Sequence, residues 1–387
     1  MKDFKVTDSI FYTGADDTTL DLFEGQYKIP DGISYNSYCI MDDKITIMDT
    51  VDKRMTKEWL ANLNHILQGR EPDYLVISHL EPDHSANIQL LAETYPKMKL
   101  VGNQKTFTLL PQFFDFPIEE RKVIVAEGDV LDLGKHKLQF FMAPMVHWPE
   151  VMVTYEQTEE ILFSADGFGK FGALAKEEEW TEEARRYYFN IVGKYGAPVQ
   201  QLLKKAANLK IRCICPLHGP ILEHNLDFYL RKYDIWSRYE PEEEGVFIAY
   251  NSIYGNTRKA VEELAEQLKK RGAKNVILTD LARDDMAKAV SDAFCYDKMI
   301  VAATTYDAGI FPAVENFLRR LKHKNYQNRK VGIIENGSWA PMAAKNMREL
   351  LEGMQKIEIC EPIVSIPTTL KGNAKEQMDQ LIEEILK

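Results

Sequence analysis

The chain has 387 residues, more than one ordinary hydrophobic core organises, so about two or three domains are expected. Its formal net charge of −11 at pH 7 disfavours sequence-independent nucleic-acid binding and docking on an anionic membrane. No apolar run approaches the roughly 20 residues that span a bilayer, and residues 1–14 do not show the pattern of a signal peptide. The five cysteines include no Cys-x-x-Cys pair, so we expect no disulfide framework, no Cys₄ metal site and a reducing, cytoplasmic location.

The first part of the chain, residues 1–243, begins with short strands and then becomes helical. Residues 56–67 place Trp59, Leu60, Leu63 and Leu67 on one face, a spacing that predicts an amphipathic helix. Strand patterns occur at 9–15, 34–49, 74–78, 122–126, 137–143, 151–155, 161–164 and 213–217, and a helical pattern covers 177–209. Helices spaced between short strands favour two sheets packed together, with the helices outside.

The second part, residues 244–387, alternates strands with helices. Strands are predicted at 246–250, 275–279, 298–303, 330–334 and 357–366, and helices at 261–270, 314–321, 343–351 and 374–386. Because parallel strands need long crossover connections, this alternation predicts a parallel sheet with helices on both faces. The boundary falls at residues 241–245, where Pro-Glu-Glu-Glu-Gly predicts a solvated hinge.

A dense group of metal-competent side chains follows the strand YLVIS in the first part. His79, Glu81, Asp83 and His84 fall within six residues, and Pro82 stiffens the turn that presents them. Loops at strand ends are places where ligands can converge on an exposed point. A polar surface loop is the alternative, but imidazoles and carboxylates at this density indicate a metal site.

Three more polar residues end apolar strands further along the chain. His147 follows the segment LQFFMAPMV, Asp166 follows ILFSA, and His218 follows CICPL. Each of them alone fits an ordinary hydrogen-bonded turn or core residue. Together, and in this order after the HLEPDH loop, they indicate one shared metal-binding site.

The order HxExDH, His, Asp, His resembles the metallo-β-lactamase fold, whose zinc hydrolases usually carry HxHxDH in the first loop. Glu81 takes the place of the second His, which exchanges an imidazole for a hard oxygen ligand and favours iron. Glu at this position resembles the flavodiiron proteins, and the resemblance covers essentially the whole chain. It implies an α/β fold with an αββα metallo-β-lactamase-like sandwich in residues 1–243. A flavodoxin-like doubly wound parallel five-stranded sheet would follow in residues 244–387.

The resemblance implies two irons, with a ligand in this chain for every position of the family pattern. One iron would take His79, Glu81 and His147. The other would take Asp83, His84 and His218. Asp166 would bridge the two irons through its two oxygens. The resemblance further suggests a catalytic role for Tyr195, as the match of a tyrosine that some members place above the irons.

A second cofactor loop follows the strand VFIAY and opens a predicted helix. It consists of Ser252, Ile253, Tyr254, Gly255, Asn256 and Thr257. N–H groups at a helix N-terminus bind phosphate, and this loop is neither a Walker loop nor GxGxxG, so the monophosphate of FMN is the better fit. A simple helix cap is the alternative from these residues alone. Within the β–α alternation the loop resembles that of flavodoxin, although Tyr254 stands where flavodoxins usually carry Thr.

Two further loops are expected at the carboxyl ends of the strands, where such folds bind ligands. One resembles the family loop Ser-Pro-Thr-x-Asn beside the flavin ring, without its Pro, and contains Thr304, Thr305, Tyr306 and Asp307. The other departs from the family's aromatic loop and contains Asn336, Gly337, Ser338 and Trp339. We expect Trp339 to stack on or near the ring, and Glu335 to place a negative charge close to it.

Three functions are weighed on these motifs. The first is a flavodiiron oxidoreductase that passes electrons through FMN to a diiron site, reducing O₂ to water, NO to N₂O, or both. The second is a zinc hydrolase fused to a flavodoxin-like domain, which Glu81 disfavours. The third is an electron carrier with an inactive first domain, which seven intact ligand positions disfavour. The resemblance implies a rubredoxin-like protein or a reduced deazaflavin as donor, and a head-to-tail homodimer or a dimer of dimers.

Overall fold

The computed structural model describes residues 5–175 and 179–387, and the chain divides into two compact units. The first unit comprises Met1–Tyr188 and Ala197–Tyr233, and the second comprises Phe189–Gly196 and Asp234–Lys387. None of the helices in the described part of the chain is long and apolar enough to cross a bilayer.

The first unit is built on two sheets of short strands. The strands are β1 (Ile10–Tyr12), β2 (Ala15–Asp17), β3 (Leu22–Phe23), β4 (Tyr27–Lys28), β5 (Ile33–Tyr35), β6 (Tyr38–Ile40), β7 (Thr46–Met48), β8 (Tyr74–Val76), β9 (Lys99–Gly102), β10 (Lys122–Ile124), β11 (Val130–Asp132), β12 (Lys137–Met142), β13 (Met152–Glu156), β14 (Ile161–Phe163) and β15 (Cys213–Cys215). Within the described residues, one sheet has the order β1-β6-β7-β8-β9-β10 and the other runs from β11 to β15. The helices up to residue 237 are α1 (Thr56–Leu67), α2 (Pro82–Ser85), α3 (Ile88–Thr94), α4 (Gln104–Leu109), α5 (Trp180–Tyr187), α6 (Gly196–Ala206) and α7 (Leu226–Ser237).

The two sheets share one hydrophobic core. Ile40 and Val76 of the six-stranded sheet belong to the same buried cluster as Phe140 and Phe163 of the five-stranded sheet. Burial of apolar surface stabilises a fold by about 25 cal/mol per Å², so this face-to-face contact is the main source of cohesion in the unit. The sandwich predicted for the first part of the chain is confirmed, and α1 has the predicted bounds.

The second unit is a parallel sheet covered by helices. Its strands are β16 (Glu243–Tyr250), β17 (Val276–Asp280), β18 (Tyr296–Tyr306), β19 (Gly309–Ile310), β20 (Arg329–Asn336), β21 (Ile357–Ile359) and β22 (Val364–Ile366). Its helices are α8 (Asn256–Lys270), α9 (Met286–Cys295), α10 (Pro312–His323), α11 (Ala343–Glu352) and α12 (Asn373–Ile385).

The order of the parallel strands is β17-β16-β18-β20-β21, which is the 2-1-3-4-5 order of flavodoxin-like folds. β22 also pairs in parallel with β20, so the fifth position of the sheet is filled by two short strands. On one face, Val261 and Leu264 of α8 and Leu381 of α12 pack in a cluster with Ile248 and Ile300 of the sheet. The predicted doubly wound five-stranded sheet is confirmed, with its last strand in two pieces.

Two details of the second unit differ from the sequence predictions. The predicted pattern omitted α9, although Asp285 is a typical N-cap whose side chain accepts from the Lys288 N–H. Residues 241–245, predicted as a solvated hinge, are held by backbone pairing, because β16 already begins at Glu243 and the Glu242 N–H donates to Cys295 O at 2.8 Å. The domain boundary between residues 243 and 244 stays a prediction.

The helical region predicted at 177–209 is divided in the structure. α5 is followed by a π-helical turn at Tyr188–Val192, a 3₁₀ turn at Gly193–Tyr195, and α6. Residues 177 and 178 lie outside the described residues. A π-helical turn in a helical region often marks a functional site.

A buried group of hydrogen bonds fastens the end of β13. The His136 Nδ1 donates to Glu156 Oε1 at 3.0 Å, and the N–H groups of Thr158 and Glu159 donate to the same carboxylate at 2.8 and 2.6 Å. Burial opposes the ionised form of Glu156, but the His136 hydrogen bond and these N–H donors outweigh it and lower its pKa.

A carboxyl pKa that is lower in the folded state stabilises the fold above the unfolded-state pKa of about 4.3, and the stabilisation is lost as the pH falls further. We expect Glu156→Gln to lower the free energy of unfolding by about 1–3 kcal/mol at pH 7. The difference from wild type should shrink as the pH falls below about 4. Urea unfolding at both pH values measures it, with the exposed Glu119→Gln as a neutral control. An equal difference at both pH values would contradict a charged Glu156.

Candidate metal centre and cofactor cavity

The loops after four strands bring the seven predicted metal ligands together in the first unit. The loop after β8 supplies His79, Glu81, Asp83 and His84, and the loops after β12, β14 and β15 supply His147, Asp166 and His218. Their donor atoms form two groups, and within each group all of them lie within 4.8 Å of one another. The first group is His79, Glu81, His147 and Asp166, and the second is Asp83, His84 and His218.

The donor atoms in each group are separated by distances that suit a shared metal ion. His147 Nε2 is 2.9 Å from Glu81 Oε2 and 2.8 Å from Asp166 Oδ2. In the second group, His218 Nε2 is 3.2 Å from Asp83 Oδ2 and 3.2 Å from His84 Nε2. Ligand atoms about 2.0–2.2 Å from one ion lie about 2.8–3.6 Å from each other. These contacts therefore match the edges of a coordination shell.

Several of these buried donor atoms have no hydrogen-bond partner in the described part of the chain. They are both ring nitrogens of His79 and the Oδ1 atoms of Asp83 and Asp166. An unpaired buried polar group costs free energy, and an unpaired buried carboxylate costs more. Metal ions would remove this cost, so the residues fit the pair of ions that the resemblance implies.

Main-chain carbonyls orient the two histidines of the second group by accepting hydrogen bonds from their Nδ1 atoms. His84 Nδ1 donates to Thr50 O at 3.2 Å, and His218 Nδ1 donates to Ser34 O at 2.7 Å. With its proton on Nδ1, each neutral ring carries the lone pair on Nε2, the atom that faces the other ring. Such outer hydrogen bonds fix both the tautomer and the orientation of a ligating imidazole.

Charges inside the site shift the pKa values of its residues. Burial disfavours a charged His79, but the Asp166 and Glu81 carboxylates outweigh it and raise its pKa to about 9. Burial also opposes ionisation of Asp166, yet the imidazoles of His79 and His147 hold its pKa well below the usual value. Burial and the charge of Glu81 raise the pKa of Asp83 to about 6. The carboxylates and imidazoles of the site therefore offset one another's charge, and bound cations would compete with protons for these ligand atoms.

Two buried carboxylates that the sequence analysis did not select hold the ligand loop in place. Asp49 accepts hydrogen bonds from the N–H and Oγ of Ser78 at 2.7 and 2.6 Å, directly before His79. Glu150 Oε1 accepts from the Leu80 N–H at 2.9 Å. Among the described residues neither carboxylate belongs to a metal-ligand group, so both act on the backbone of the loop.

Tyr187 packs against the second group. Its ring centroid lies 5.5 Å from that of His218, and its hydroxyl is buried without a hydrogen-bond partner in the described chain. Burial and the charges of Asp166 and Glu81 raise the pKa of Tyr187 well above its usual value. The hydroxyl therefore keeps its proton and is available as a donor inside the site.

The structure places Tyr195, for which a catalytic role was predicted, in a recess of the second unit. The residues of this recess are Ile191, Lys194, Tyr195, Lys322, His323, Lys324 and Asn325. In the described chain, the ammonium of Lys194 lies over the Tyr195 ring. The recess contains none of the predicted metal ligands. The catalytic role of Tyr195 therefore stays a prediction, whereas Tyr187 and Tyr35 are tyrosines that pack on a ligand histidine.

A cavity of about 230 Å³ adjoins the ligand loop of the first unit. Glu81 and Asp83 form part of its wall, together with the apolar side chains of Leu22 and Phe23 and the ring of Tyr35. The cavity is large enough for a small molecule to reach two of the metal-competent carboxylates.

The second unit has a cavity of about 320 Å³ beside the loops that follow β16, β18 and β20. The predicted cofactor residues that line it are Ser252, Ile253, Tyr254, Asn256, Thr257, Thr304, Thr305, Asp307, Asn336, Gly337, Ser338 and Trp339. Ala308, Ala340 and Thr368 also line it and were not predicted. Gly255 and Tyr306 were predicted but do not line the cavity.

The first of these loops has the conformation of an anion-binding helix start. Gly255 precedes α8 with a φ of 88°, and a Cβ there would meet no atom within 4 Å, so the backbone angle rather than space favours Gly. Ser252 Oγ accepts from the N–H groups of Gly255 and Arg258 at 3.1 and 3.2 Å. The first-turn N–H groups of a helix have no acceptor within it, and at this place they suit a phosphate.

Side-chain hydrogen bonds hold the rim of the cavity. Thr305 Oγ1 accepts from the Ala343 N–H at 3.1 Å, at the start of α11. Asn336 Nδ2 donates to Thr257 Oγ1 at 3.3 Å and to Thr368 O at 3.0 Å. The loops after β18 and β20 are therefore fixed by the protein itself, which lowers the ordering cost of binding a ligand.

The carboxylate of Glu335 accepts hydrogen bonds from α11 and β22 and does not line the cavity. Its Oε2 accepts from the Ala344 N–H at 2.9 Å, and its Oε1 accepts from Ser365 Oγ at 3.0 Å. Successive side chains of a strand point to opposite faces, and it is Asn336 that lines the cavity. The structure does not support the prediction of a charge beside a flavin ring, whereas stacking by Trp339, which is 82% exposed, stays a prediction.

Comparisons with known proteins match both parts of the chain to known domain families. Residues 33–219 match the family model described as ODP family beta lactamase, and residues 247–361 match a flavodoxin domain model. The chain is 29% identical to the nitric oxide reductase of Moorella thermoacetica, over 98% of this chain and 97% of that protein.

Solved structures share the whole fold. The rubredoxin oxygen:oxidoreductase of the anaerobe Desulfovibrio gigas superposes with a TM-score of 0.90 at 28% identity, covering 98% of this chain and 97% of that one. A flavo di-iron protein of Thermotoga maritima, solved as a mutant, superposes with a TM-score of 0.87 at 25% identity, covering 97% and 96%. With both domain models, full-length similarity and the two ligand groups in agreement, this chain belongs to the flavodiiron protein family.

Proposed function

We propose that this protein is an FMN- and diiron-dependent reductase that passes electrons from an external donor to O₂, to NO, or to both. The observation that carries the proposal is the presence of two ligand groups and a flavodoxin-type cavity in one chain. The relatives named above are an oxygen reductase and a nitric oxide reductase. We assign the metal domain to residues 1–243 and the flavin domain to residues 244–387.

The two irons would share the seven ligands as the family pattern implies. His79, Glu81 and His147 would hold one iron, and Asp83, His84 and His218 would hold the other. Asp166 would bridge them, because its Oδ2 lies with the first group and its Oδ1 is buried without a partner in the described chain. Carboxylate oxygens beside imidazoles form a ligand set that suits iron.

The second-unit cavity would hold FMN with its phosphate on the first turn of α8. Thr257 and Asn256 line the cavity at that turn, and Ser252 braces the loop. No dinucleotide fingerprint is present in the sequence. A single phosphate therefore accounts for the loop better than a pyrophosphate does.

When bound, FMN takes up electrons one or two at a time, and a pair of irons supplies two electrons to a diatomic gas. The chain's own part is to bind, to exclude water and to hold protons. His79 and His84 are fully buried, and Tyr187 keeps a proton on a hydroxyl close to the charges of Asp166 and Glu81. A buried hydroxyl of this kind can donate a hydrogen bond inside the site without admitting bulk water.

A zinc hydrolase fused to a flavodoxin-like domain is the weaker proposal. Hydrolysis has no use for the flavin cavity, and Glu81 replaces an imidazole of the usual zinc pattern with an oxygen ligand. The named relatives are oxidoreductases, and their similarity to this chain extends over nearly the full length of each protein. For the donor we propose a rubredoxin-like protein, as the name of one relative suggests, or a reduced deazaflavin.

The function is tested by anaerobic amperometry on chemically reduced protein, with O₂ and NO supplied in parallel. We expect two irons and one FMN per chain and consumption of at least one gas. Elemental and flavin analysis of the same sample supplies the stoichiometry. Stoichiometric zinc after growth in iron-replete medium, or fully loaded protein that consumes neither gas, would overturn the proposal.

Asp166→Asn tests the bridging ligand. An amide cannot offer two anionic oxygens to two cations, so we expect at least one iron to be lost and gas consumption to fall by more than about tenfold. The circular dichroism spectrum should be unchanged. Asp227→Asn, at an exposed position in α7, is the matched control and should retain both irons. Full iron content and activity in Asp166→Asn would remove Asp166 from the site.

We further propose a head-to-tail homodimer in which each flavin serves the irons of the partner. The cavity and the ligand groups belong to different compact units, and electron transfer weakens steeply with distance. Tyr254 and Trp339 line the cavity and are 93% and 82% exposed. Exposed aromatic side chains around a pocket are typical of a surface that another protein covers.

Mixing of two inactive variants tests this arrangement. His79→Ala with His147→Ala removes iron, and Ser252→Asp with Thr257→Asp repels the flavin phosphate. Each variant alone should be inactive. Subunit exchange should restore one of the two flavin–iron pairs and thus about half of the wild-type activity per heterodimer, since that pair forms across the interface. A mixed dimer that forms but stays inactive, while exchanged wild type stays active, would show that the pairing is within one chain.

A further inference from the structure

Thr50 holds His84 through three hydrogen bonds. The Thr50 N–H and Thr50 Oγ1 both donate to His84 O, at 2.9 and 2.8 Å. In return, His84 Nδ1 donates to Thr50 O at 3.2 Å. One residue therefore fixes both the backbone and the ring of a predicted metal ligand, and both residues are almost completely buried.

The Thr50 hydroxyl is part of a wider connection between the end of β7 and the helix that carries His84. Thr50 Oγ1 accepts from the Asn87 N–H at 3.4 Å, and Asn87 Nδ2 donates to Val51 O at 2.7 Å. Asn87 Oδ1 accepts from Thr56 Oγ1 at 2.7 Å, at the start of α1. The short helix α2 has only four residues and no side-chain N-cap hydrogen bond. Its position therefore depends on contacts of this kind.

The other ligand histidine of the same loop has no comparable support. Both ring nitrogens of His79 are buried without a hydrogen-bond partner in the described chain. Thr50 thus orients His84 through its Nδ1 atom. For His79, the support found is the pair of hydrogen bonds that Asp49 accepts from the preceding residue, Ser78. His79 and His84 therefore differ in how firmly their rings are oriented.

We propose that Thr50 is a positioning residue whose hydroxyl keeps His84 Nε2 directed at the metal of the second group. The inference rests on the diiron function proposed above. Its physical basis is that an outer hydrogen bond pre-orients a ligand, so less order is lost when the metal binds. Two of the three bonds use the main chain and survive substitution of the side chain. The hydroxyl bond to His84 O is the one that the choice of Thr adds.

The experiment compares Thr50→Val, Thr50→Ser and Thr46→Val in metal-free protein titrated with Co²⁺. Val keeps the shape of Thr without its hydroxyl, and Ser keeps the hydroxyl without the methyl. Thr46 is the matched control, because it is buried in β7 and the hydrogen bond found for its hydroxyl in the described residues is a long one to Lys44 O, at 3.4 Å. Cobalt absorption in competition with a chelator gives the affinity of each ion. Thermal unfolding of the metal-free variants reports on the fold.

We expect Thr50→Val to bind one of its two cobalt ions about tenfold to a hundredfold more weakly, with the other unchanged. Thr50→Ser and Thr46→Val should resemble wild type. In proton NMR of the cobalt-loaded protein, the exchangeable His84 Nδ1–H resonance should exchange faster with water in Thr50→Val, a change that a general loss of stability would not confine to this ring.

Wild-type affinity for both ions in Thr50→Val would overturn the positioning role and leave the diiron function intact. Equal weakening in Thr50→Ser would overturn the role of the hydroxyl, because the lost methyl would then be the cause. Wild-type protein that binds no pair of ions would overturn the diiron function and this proposal with it.

Discussion

The burial of three carboxylates and four imidazoles at one place is the constraint on which the first unit depends. Groups of this kind cost free energy inside a protein unless opposite charges or protons balance them. The raised pKa of His79 and the lowered pKa of Asp166 follow from the mutual attraction of these imidazoles and carboxylates. Two divalent cations would take over that task, so metal binding and stability of the fold are coupled through the same atoms.

Residues outside the ligand set hold these ligands in place. Asp49 and Glu150 fix the backbone of the ligand loop, Thr50 orients His84 within that loop, and Ser34 orients His218. The flavin cavity follows another principle. It is open and its rim is largely neutral, and hydrogen bonds such as that of Asn336 to Thr368 O pre-form its loops. The buried site is organised by charge, and the open site is organised by backbone geometry.

Sequence reasoning succeeded where the signal was local. The spacing at residues 56–67 depends only on helix geometry and matched α1, and the ligand loop is contiguous in the chain. It failed where contacts span the chain. Thr50 and His84 are 34 positions apart, and no pattern in either segment indicates that they meet. In the same way, Tyr187 and Tyr195 stand in similar helical sequence, and only the packing of His218 against Tyr187 tells them apart.

O₂ and NO are both neutral, so charge at the entrance cannot distinguish them. What the chain controls is access and protonation. The cavity beside Glu81 and Asp83 has an apolar side formed by Leu22 and Phe23, which suits a nearly apolar gas. The same cavity is also lined by the polar side chains of Asp52 and Arg54. Because the two gases are both neutral and would meet the same seven ligands, a preference between them would have to come from the side chains around those ligands, such as the ones that line this cavity.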